Sequence, residues 1–109
     1  MNHDRLLSLF GLARRAGKLS WGFDSVLEAI AKKQAHAVFL ANDISSKTAK
    51  EVRFAAGKHN LPVTQIRADM DKIQKAIGKT AGVVSLNDRG FAARALQICT
   101  ELYGEETGL

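Results

Sequence analysis

Two glycine-bounded loops contain the residue types that could bind a phosphate backbone. The first runs from Gly17 to Ser25 and leads into a predicted helix, and the second runs from Gly78 to Gly82. The basic and aromatic side chains of the first loop, with two arginines just before it, are Arg14, Arg15, Lys18, Trp21 and Phe23. Basic side chains and the free N–H groups of a helix N-terminus both bind phosphate. These loops are candidate phosphate contacts; the alternative is that the glycines are turn residues, that Trp21 belongs to the core and that the basic residues form a solvated face.

Catalytic and metal-binding patterns are not found in the sequence. The three histidines, His3, His36 and His59, have no partner at the spacing of a zinc site. Gly78-Lys79-Thr80 resembles the end of a nucleotide-binding loop, but Ile73 stands where that loop needs its first glycine. Neither a dinucleotide fingerprint nor a nucleophile elbow occurs. We therefore expect no cofactor, no metal, no small-molecule substrate and no enzymatic activity.

The charge of the chain favours a nucleic-acid partner. The 109 residues include 16 Lys and Arg and 11 Asp and Glu, for a net charge of +5. Three of the acids lie after residue 100, so the first 100 residues combine 16 basic with eight acidic side chains and carry +8. A basic domain of this kind has the electrostatic footprint of a nucleic-acid-binding protein.

The single cysteine and the hydropathy of the chain predict the cellular compartment of the protein. Cys99 is the single cysteine and lies in an apolar helical stretch, where a buried, reduced thiol is expected. No apolar run approaches the roughly 18 residues of a membrane span, and none follows the first five residues as in a signal peptide. These features predict a cytoplasmic protein with no membrane partner.

Helical and strand periodicities alternate along the chain in the order αβαβαβαβα. Helices are predicted from Asp4 to Ala16, from Asp24 or Ser25 to about Lys33, from Ser45 or Ser46 to Asn60, from Asp69 to Gly78 and from Asp88 to Gly104. Strands are predicted at 18–21, 37–41, 63–66 and 83–86. This order predicts an α/β fold, a three-layer α/β/α sandwich around a mostly parallel central sheet. We expect a single domain over residues 1–104 and a frayed tail at 105–109.

Four short motifs in this order resemble one known family over almost the whole chain. They are Gly-Lys-Leu-x-x-Gly at 17–22, Ala-Val-Phe-Leu-Ala-Asn-Asp-Ile-Ser at 37–45, Leu-Pro-Val at 61–63 and Lys-Ala-Ile-Gly at 75–78. The sequence is similar to the L7Ae/L30e ribosomal protein superfamily, and within it to the YlxQ-like bacterial branch. The resemblance implies a three-layer fold, no cofactor and no catalysis. It also implies that the partner is RNA, typically a kink-turn bound by the second helix's N-terminus and the loop before the last strand.

The resemblance also implies roles for individual residues. Gly22 matches the glycine that lets the backbone approach RNA, and Lys32 matches a basic position further along the second helix. Lys79, Thr80 and Ala81 occupy the loop that packs against a flipped-out nucleotide, and we expect this tip to bury little in the core. Where kink-turn binders have Asn-Glu this chain has Asp24-Ser25, and where they have Lys it has Glu28. These departures predict weak selection for a standard kink-turn.

The sequence thus predicts a non-catalytic protein that binds structured RNA, either kink-turn-like or ribosomal, and associates with ribosomes or a translation factor. The alternative is a recognition module that acts on protein partners or serves an RNA-modifying enzyme. The candidate RNA-binding residues are Arg14, Arg15, Gly17, Lys18, Gly22, Phe23, Asp24, Ser25, Glu28, Lys32, Lys79, Thr80 and Ala81.

Overall fold

Five helices and four strands alternate along the chain in the predicted order. The computed structural model describes residues 3–104, so the predicted tail at 105–109 lies outside the described residues. The helices are α1 (His3–Arg15), α2 (Phe23–Ala31), α3 (Ser46–Gly57), α4 (Met70–Ile77) and α5 (Arg89–Tyr103), and the strands are β1 (Leu19–Trp21), β2 (Ala37–Leu40), β3 (Val63–Gln65) and β4 (Val83–Leu86).

The four strands form one mixed sheet in the order β1-β4-β2-β3. The β2 and β3 strands pair in parallel, whereas β4 lies between β1 and β2 and is antiparallel to both. The expected α/β class is confirmed, but the expectation of a mostly parallel sheet is wrong. The short helix α4 does not carry the chain back to the opposite end of the sheet, because Gly82, just before β4, bonds to Ala41, just after β2. Periodicity shows where strands occur but not the end from which each enters the sheet.

Side chains on the two faces of the sheet pack into two separate cores, which gives the predicted three layers. In β2, Ala37 and Phe39 pack with α1, α4 and α5, and Phe39 lies 5.3 Å from Phe10 between ring centroids. The alternate residues Val38 and Leu40 pack with α2 and α3. Because β2 is buried on both faces, its sequence reads as one continuous apolar run.

Most helix ends lie where the sequence predicts them. Ser45, Asp69 and Asp88 are N-caps, and Gly78 ends α4 in the left-handed conformation with φ +78°. The start of α2 differs from the prediction, because Gly22 is its N-cap and the helix begins at Phe23. Asp24 and Ser25 therefore lie inside the first turn and do not cap it.

Cys99 is buried, as expected, and desolvation raises the pKa of its thiol to about 11. The thiolate is thus a minor species at neutral pH, and Cys99 is a poor nucleophile. Among residues 3–104, no helix has the length and hydropathy of a membrane span.

Candidate nucleic-acid interface

The N-terminus of α2 lacks a side-chain cap. Its N-cap residue is Gly22, with φ +92° and ψ +154°, and no side chain accepts a hydrogen bond from the first turn. This backbone conformation is open almost only to glycine. The first-turn N–H groups of a helix carry a partial positive charge, so an uncapped end can donate to an anion. Asp24 and Ser25 of this turn are exposed.

The loop between α4 and β4 lies beside this helix end. The Gly22 N–H donates to the carbonyl oxygen of Val83 at 3.0 Å, and Trp21 pairs with Val84 in the sheet. On its other side the loop is fixed by β2, since the Ala41 N–H donates to the Gly82 carbonyl oxygen at 2.8 Å. Two backbone hydrogen bonds therefore hold the loop next to the uncapped turn.

The tip of this loop combines exposed and buried residues. Lys79 and Thr80 are exposed, but Ala81 is only 5% exposed. The expectation that the tip buries little is therefore wrong for Ala81, whose neighbour Gly82 is crowded. A Cβ atom at Gly82 would lie 3.1 Å from Met70 Sδ and 3.4 Å from Ile44 Cγ1. The loop thus presents Lys79 and Thr80 outward while Ala81 and Gly82 anchor it.

The basic residues at and after the end of α1 do not all lie near the uncapped turn of α2. The Lys18 carbonyl oxygen accepts from the Asn87 N–H at 2.8 Å, at the end of β1 opposite Gly22. The three residues of β1 separate the two ends by about 10 Å. Gly17 lies next to Lys18, and Arg15 lines a groove between α1 and α4. The structure therefore does not bring Arg15, Gly17 and Lys18 to the uncapped turn.

Arg14 connects α1 to β1. Its guanidinium carbon lies 5.0 Å from the centroid of the Trp21 ring, and its Nε is buried without a hydrogen-bond partner. Trp21 precedes Gly22 directly, so a cation–π contact supports the residue at which β1 turns into α2. Arg14 therefore contacts the residue that precedes Gly22.

Glu28 and Lys32 form an ion pair along α2, with 2.8 Å between Glu28 Oε2 and Lys32 Nζ. The hydrogen bond from Lys32 and its positive charge lower the pKa of the Glu28 carboxyl. Lys32 is the C-cap of α2, so it lies at the far end of the helix from Gly22. The charge of Glu28 is therefore partly offset by Lys32, and Lys32 is correspondingly less available to a phosphate.

The sequence profile of the Ribosomal protein L7Ae/L30e/S12e/Gadd45 family matches residues 4–92 of the chain. The chain belongs to this family. Two relatives, both called RNA-binding protein YlxQ, come from Enterococcus faecium and Bacillus subtilis (strain 168). The first is 33% identical over 97 residues, which are 89% of this chain and 93% of the relative. The second is 35% identical over 91 residues, which are 83% and 90% of the two chains.

Solved structures share the fold of this L7Ae-family chain. A Bacillus halodurans protein of unknown function superposes with a TM-score of 0.81 at 31% identity, over 85% of this chain and 94% of its own. The Giardia lamblia 15.5kD RNA binding protein superposes with a TM-score of 0.75 at 15% identity, over 92% and 86% of the two chains. The second likeness supports the fold alone.

A concave site suited to catalysis would be an alternative functional site to the uncapped end of α2 and the α4–β4 loop. A groove of about 680 Å³ lies between α1 and α4 in the described part of the L7Ae-family chain. Its potential acid and base groups, Asp4, Lys72 and Lys75, are exposed to solvent. Catalytic groups are usually desolvated, and these groups are not. Among residues 3–104, no group of three or more His, Cys, Asp or Glu side chains is placed to hold a metal.

The sequence interpretation missed the anchors of the α4–β4 loop. Met70 and Ile44 lie against Gly82, and the Met70 N–H donates to Asp43 Oδ1 at 3.0 Å. Asp43 and Ile44 belong to the motif at 37–45, so the motif contained a signal. Periodicity alone could not have linked them to the loop, because the contact depends on how the strands are ordered.

Proposed function

We propose that this chain binds structured RNA through the uncapped end of α2 together with Lys79 and Thr80 of the α4–β4 loop, and that it catalyses no reaction. The observation that carries the proposal is the 3.0 Å hydrogen bond from the Gly22 N–H to the Val83 carbonyl oxygen. It places backbone donors, a glycine and a basic loop side by side. Phosphate oxygens accept hydrogen bonds from the free N–H groups of a helix N-terminus and from Lys and Thr side chains.

Several other observations support RNA as the partner. The chain carries a net charge of +5, and its two curated relatives are called RNA-binding proteins. The family name includes ribosomal proteins, so ribosomal RNA is one structured RNA that this chain could bind, on ribosomes or with a translation factor. This role corresponds to the cytoplasmic location predicted from the lone cysteine.

We further infer that kink-turn recognition is weak in this chain. The first turn of α2 carries Asp24 and Ser25 in place of Asn-Glu, and Glu28 in place of Lys. Ser25 offers no carboxylate to a guanine amino group. Glu28 places negative charge one turn into the helix, where it opposes the positive potential of the N-terminus, although Lys32 partly offsets it. Both changes reduce specificity more than general affinity for RNA.

A titration of a kink-turn hairpin RNA at increasing salt concentrations tests the proposed RNA binding. Each phosphate neutralised by a protein cation should contribute roughly 0.7–0.9 to the slope of log affinity against log salt. We expect affinity to fall steeply between low and physiological salt. An affinity that does not change with salt, or an absence of binding at low salt, would refute the proposal.

A further inference from the structure

The outer face of α3 carries an exposed aromatic ring. Successive residues of an α-helix are rotated by about 100° around its axis. Phe54 therefore lies on the side of α3 opposite to Val52 and Ala56. Val52 and Ala56 are fully buried against the sheet, whereas Phe54 is 68% exposed. Among the described residues only Leu12, at 50%, is another large exposed hydrophobic side chain. Phe54 therefore adds little to the core.

Lysines accompany Phe54 along the same face. Lys47, Lys50 and Lys58 are exposed, and helical spacing places all three within about 40° of Phe54 around the helix axis. The Lys58 Nζ lies 4.6 Å from the centroid of the Phe54 ring. We call Lys47, Lys50, Phe54 and Lys58 the α3 stripe. It extends about 16 Å along the helix.

The net charge of this helix makes the face attractive to a polyanion. Between Ser46 and Lys58 the charged residues are Lys47, Lys50, Glu51, Arg53 and Lys58. Four are basic and one is acidic, so the segment carries +3. A single contact between Phe54 and Lys58 at i,i+4 spacing stabilises a helix only slightly. Local helix stability is thus a weak reason for an exposed phenylalanine among lysines.

The α3 stripe begins near the surface proposed to bind structured RNA. Ser45 caps α3 four residues after Ala41, and Ala41 bonds to Gly82 of the α4–β4 loop. The α2 and α3 helices also pack on the same face of the sheet. A strand that leaves an RNA bound at the uncapped turn can therefore follow α3 away from that end.

We propose that the α3 stripe binds a single-stranded segment adjoining the structured RNA, with an unpaired base stacked on Phe54. The phosphates of that segment contact Lys47, Lys50 and Lys58. Exposed aromatic rings among basic side chains bind single strands in this way, because every base has a face that can stack. The inference rests on the proposed RNA-binding function and extends it to a second surface and a second kind of RNA.

Two RNA probes separate this surface from the first one. One is a blunt kink-turn hairpin, and the other is the same hairpin with a single-stranded 3′ extension. We expect Phe54→Ala to weaken binding of the extended RNA about tenfold, in the range reported for loss of one stacked base, and to change binding of the blunt RNA less than about twofold. Phe54→Trp should keep the affinity for the extended RNA. Leu12→Ala, at the other exposed hydrophobic residue, is the matched control and should change neither.

The lysines are tested by removing two charges at a time. Lys50→Gln with Lys58→Gln should lower the salt slope for the extended RNA by roughly one to two, because two phosphate contacts are lost. Arg89→Gln with Arg94→Gln, on exposed positions of α5 in the opposite layer, removes the same charge and should leave that slope unchanged. Thermal melting of each variant verifies that it is folded.

The results distinguish the two proposals. If the natural protein binds neither hairpin, the proposed RNA-binding function fails, and this inference fails with it. If both hairpins bind and Phe54→Ala weakens neither, the α3 inference alone is wrong. If Phe54→Ala leaves both RNAs unaffected but abolishes association with a co-purifying protein, the α3 stripe is a protein-docking surface, and the assignment to RNA is overturned.

Discussion

The N-terminus of α2 differs from those of α3, α4 and α5 in whether a side chain accepts a hydrogen bond from a first-turn N–H group. Ser45 accepts from the Thr48 N–H at 3.2 Å, Asp69 from the Lys72 N–H at 2.9 Å and Asp88 from the Phe91 N–H at 2.9 Å. Gly22 offers no side chain to α2. A capping side chain contributes about 1 kcal/mol to stability. In three helices a side chain therefore accepts from one first-turn N–H group, whereas no side chain does so in α2.

The largest expected effect concerns RNA selectivity at the uncapped end. The natural protein should bind a standard kink-turn and an unkinked control RNA with similar affinity. The triple variant Asp24→Asn, Ser25→Glu and Glu28→Lys should separate the two RNAs by about tenfold or more, as one specific base contact is worth roughly 1–3 kcal/mol of discrimination. Fluorescence anisotropy titrations measure both affinities. Strong discrimination by the natural protein would show that Asp24 and the backbone donors suffice.

A charge reversal compares the loop beside the uncapped end with a capped helix. Lys79→Glu should weaken RNA binding about tenfold and reduce the salt slope by roughly one, with little change in melting temperature, because the side chain is exposed. Lys72→Glu, in the first turn of the capped α4, is the control and should alter affinity less than about twofold. Equal losses for the two variants would mean that net charge alone drives binding.

The glycine at the uncapped end should be costly to replace. Gly22→Ala forces alanine into a φ of +92° and should lower the free energy of unfolding by about 1–3 kcal/mol, although a Cβ there meets no atom within 4 Å. Gly57→Ala at the end of α3 also meets no atom within 4 Å but has no positive φ, so stability should stay constant or rise. Urea denaturation measures both. Equal stability of the Gly22 variant and the natural protein would contradict the strained conformation.

The smallest expected effect tests the caps themselves. Asp88→Ala removes the acceptor for the Phe91 N–H and should cost about 1 kcal/mol, with a melting temperature several degrees lower. Ser25→Ala should change stability by less than about 0.5 kcal/mol, because Ser25 lies inside the first turn and is exposed. A loss at Ser25 as large as that at Asp88 would place a cap on α2 after all.

The caps and strands were predictable because their signals are local. Asp69 and Asp88 precede helical apolar patterns, Gly78 follows one, and the apolar run at 37–41 contains the inner strand β2. Each depends on residues only a few positions apart. The three layers follow from the alternation of these elements, and the family was recognisable from four motifs in order.

The remaining features depend on contacts between distant residues. The position of β4 between β1 and β2 decides that Gly22 meets Val83 and that Lys18 meets Asn87. Those pairings separate Lys18 from the uncapped turn, although Gly22 is only the fourth residue after Lys18 in the sequence. The burial of Ala81 likewise follows from the loop's attachment to the sheet. Sequence proximity was therefore a poor guide to which candidate residues share a surface.

The hydrogen bond between Gly22 and Val83 has a consequence for the entropy of association. Because the sheet ladder continues through this bond, the uncapped turn and the α4–β4 loop are already fixed relative to each other before a ligand arrives. The loss of backbone freedom that accompanies binding is then incurred mainly during folding. Amide hydrogen exchange at Gly22 should accordingly be slow in the free protein and should change little when RNA binds.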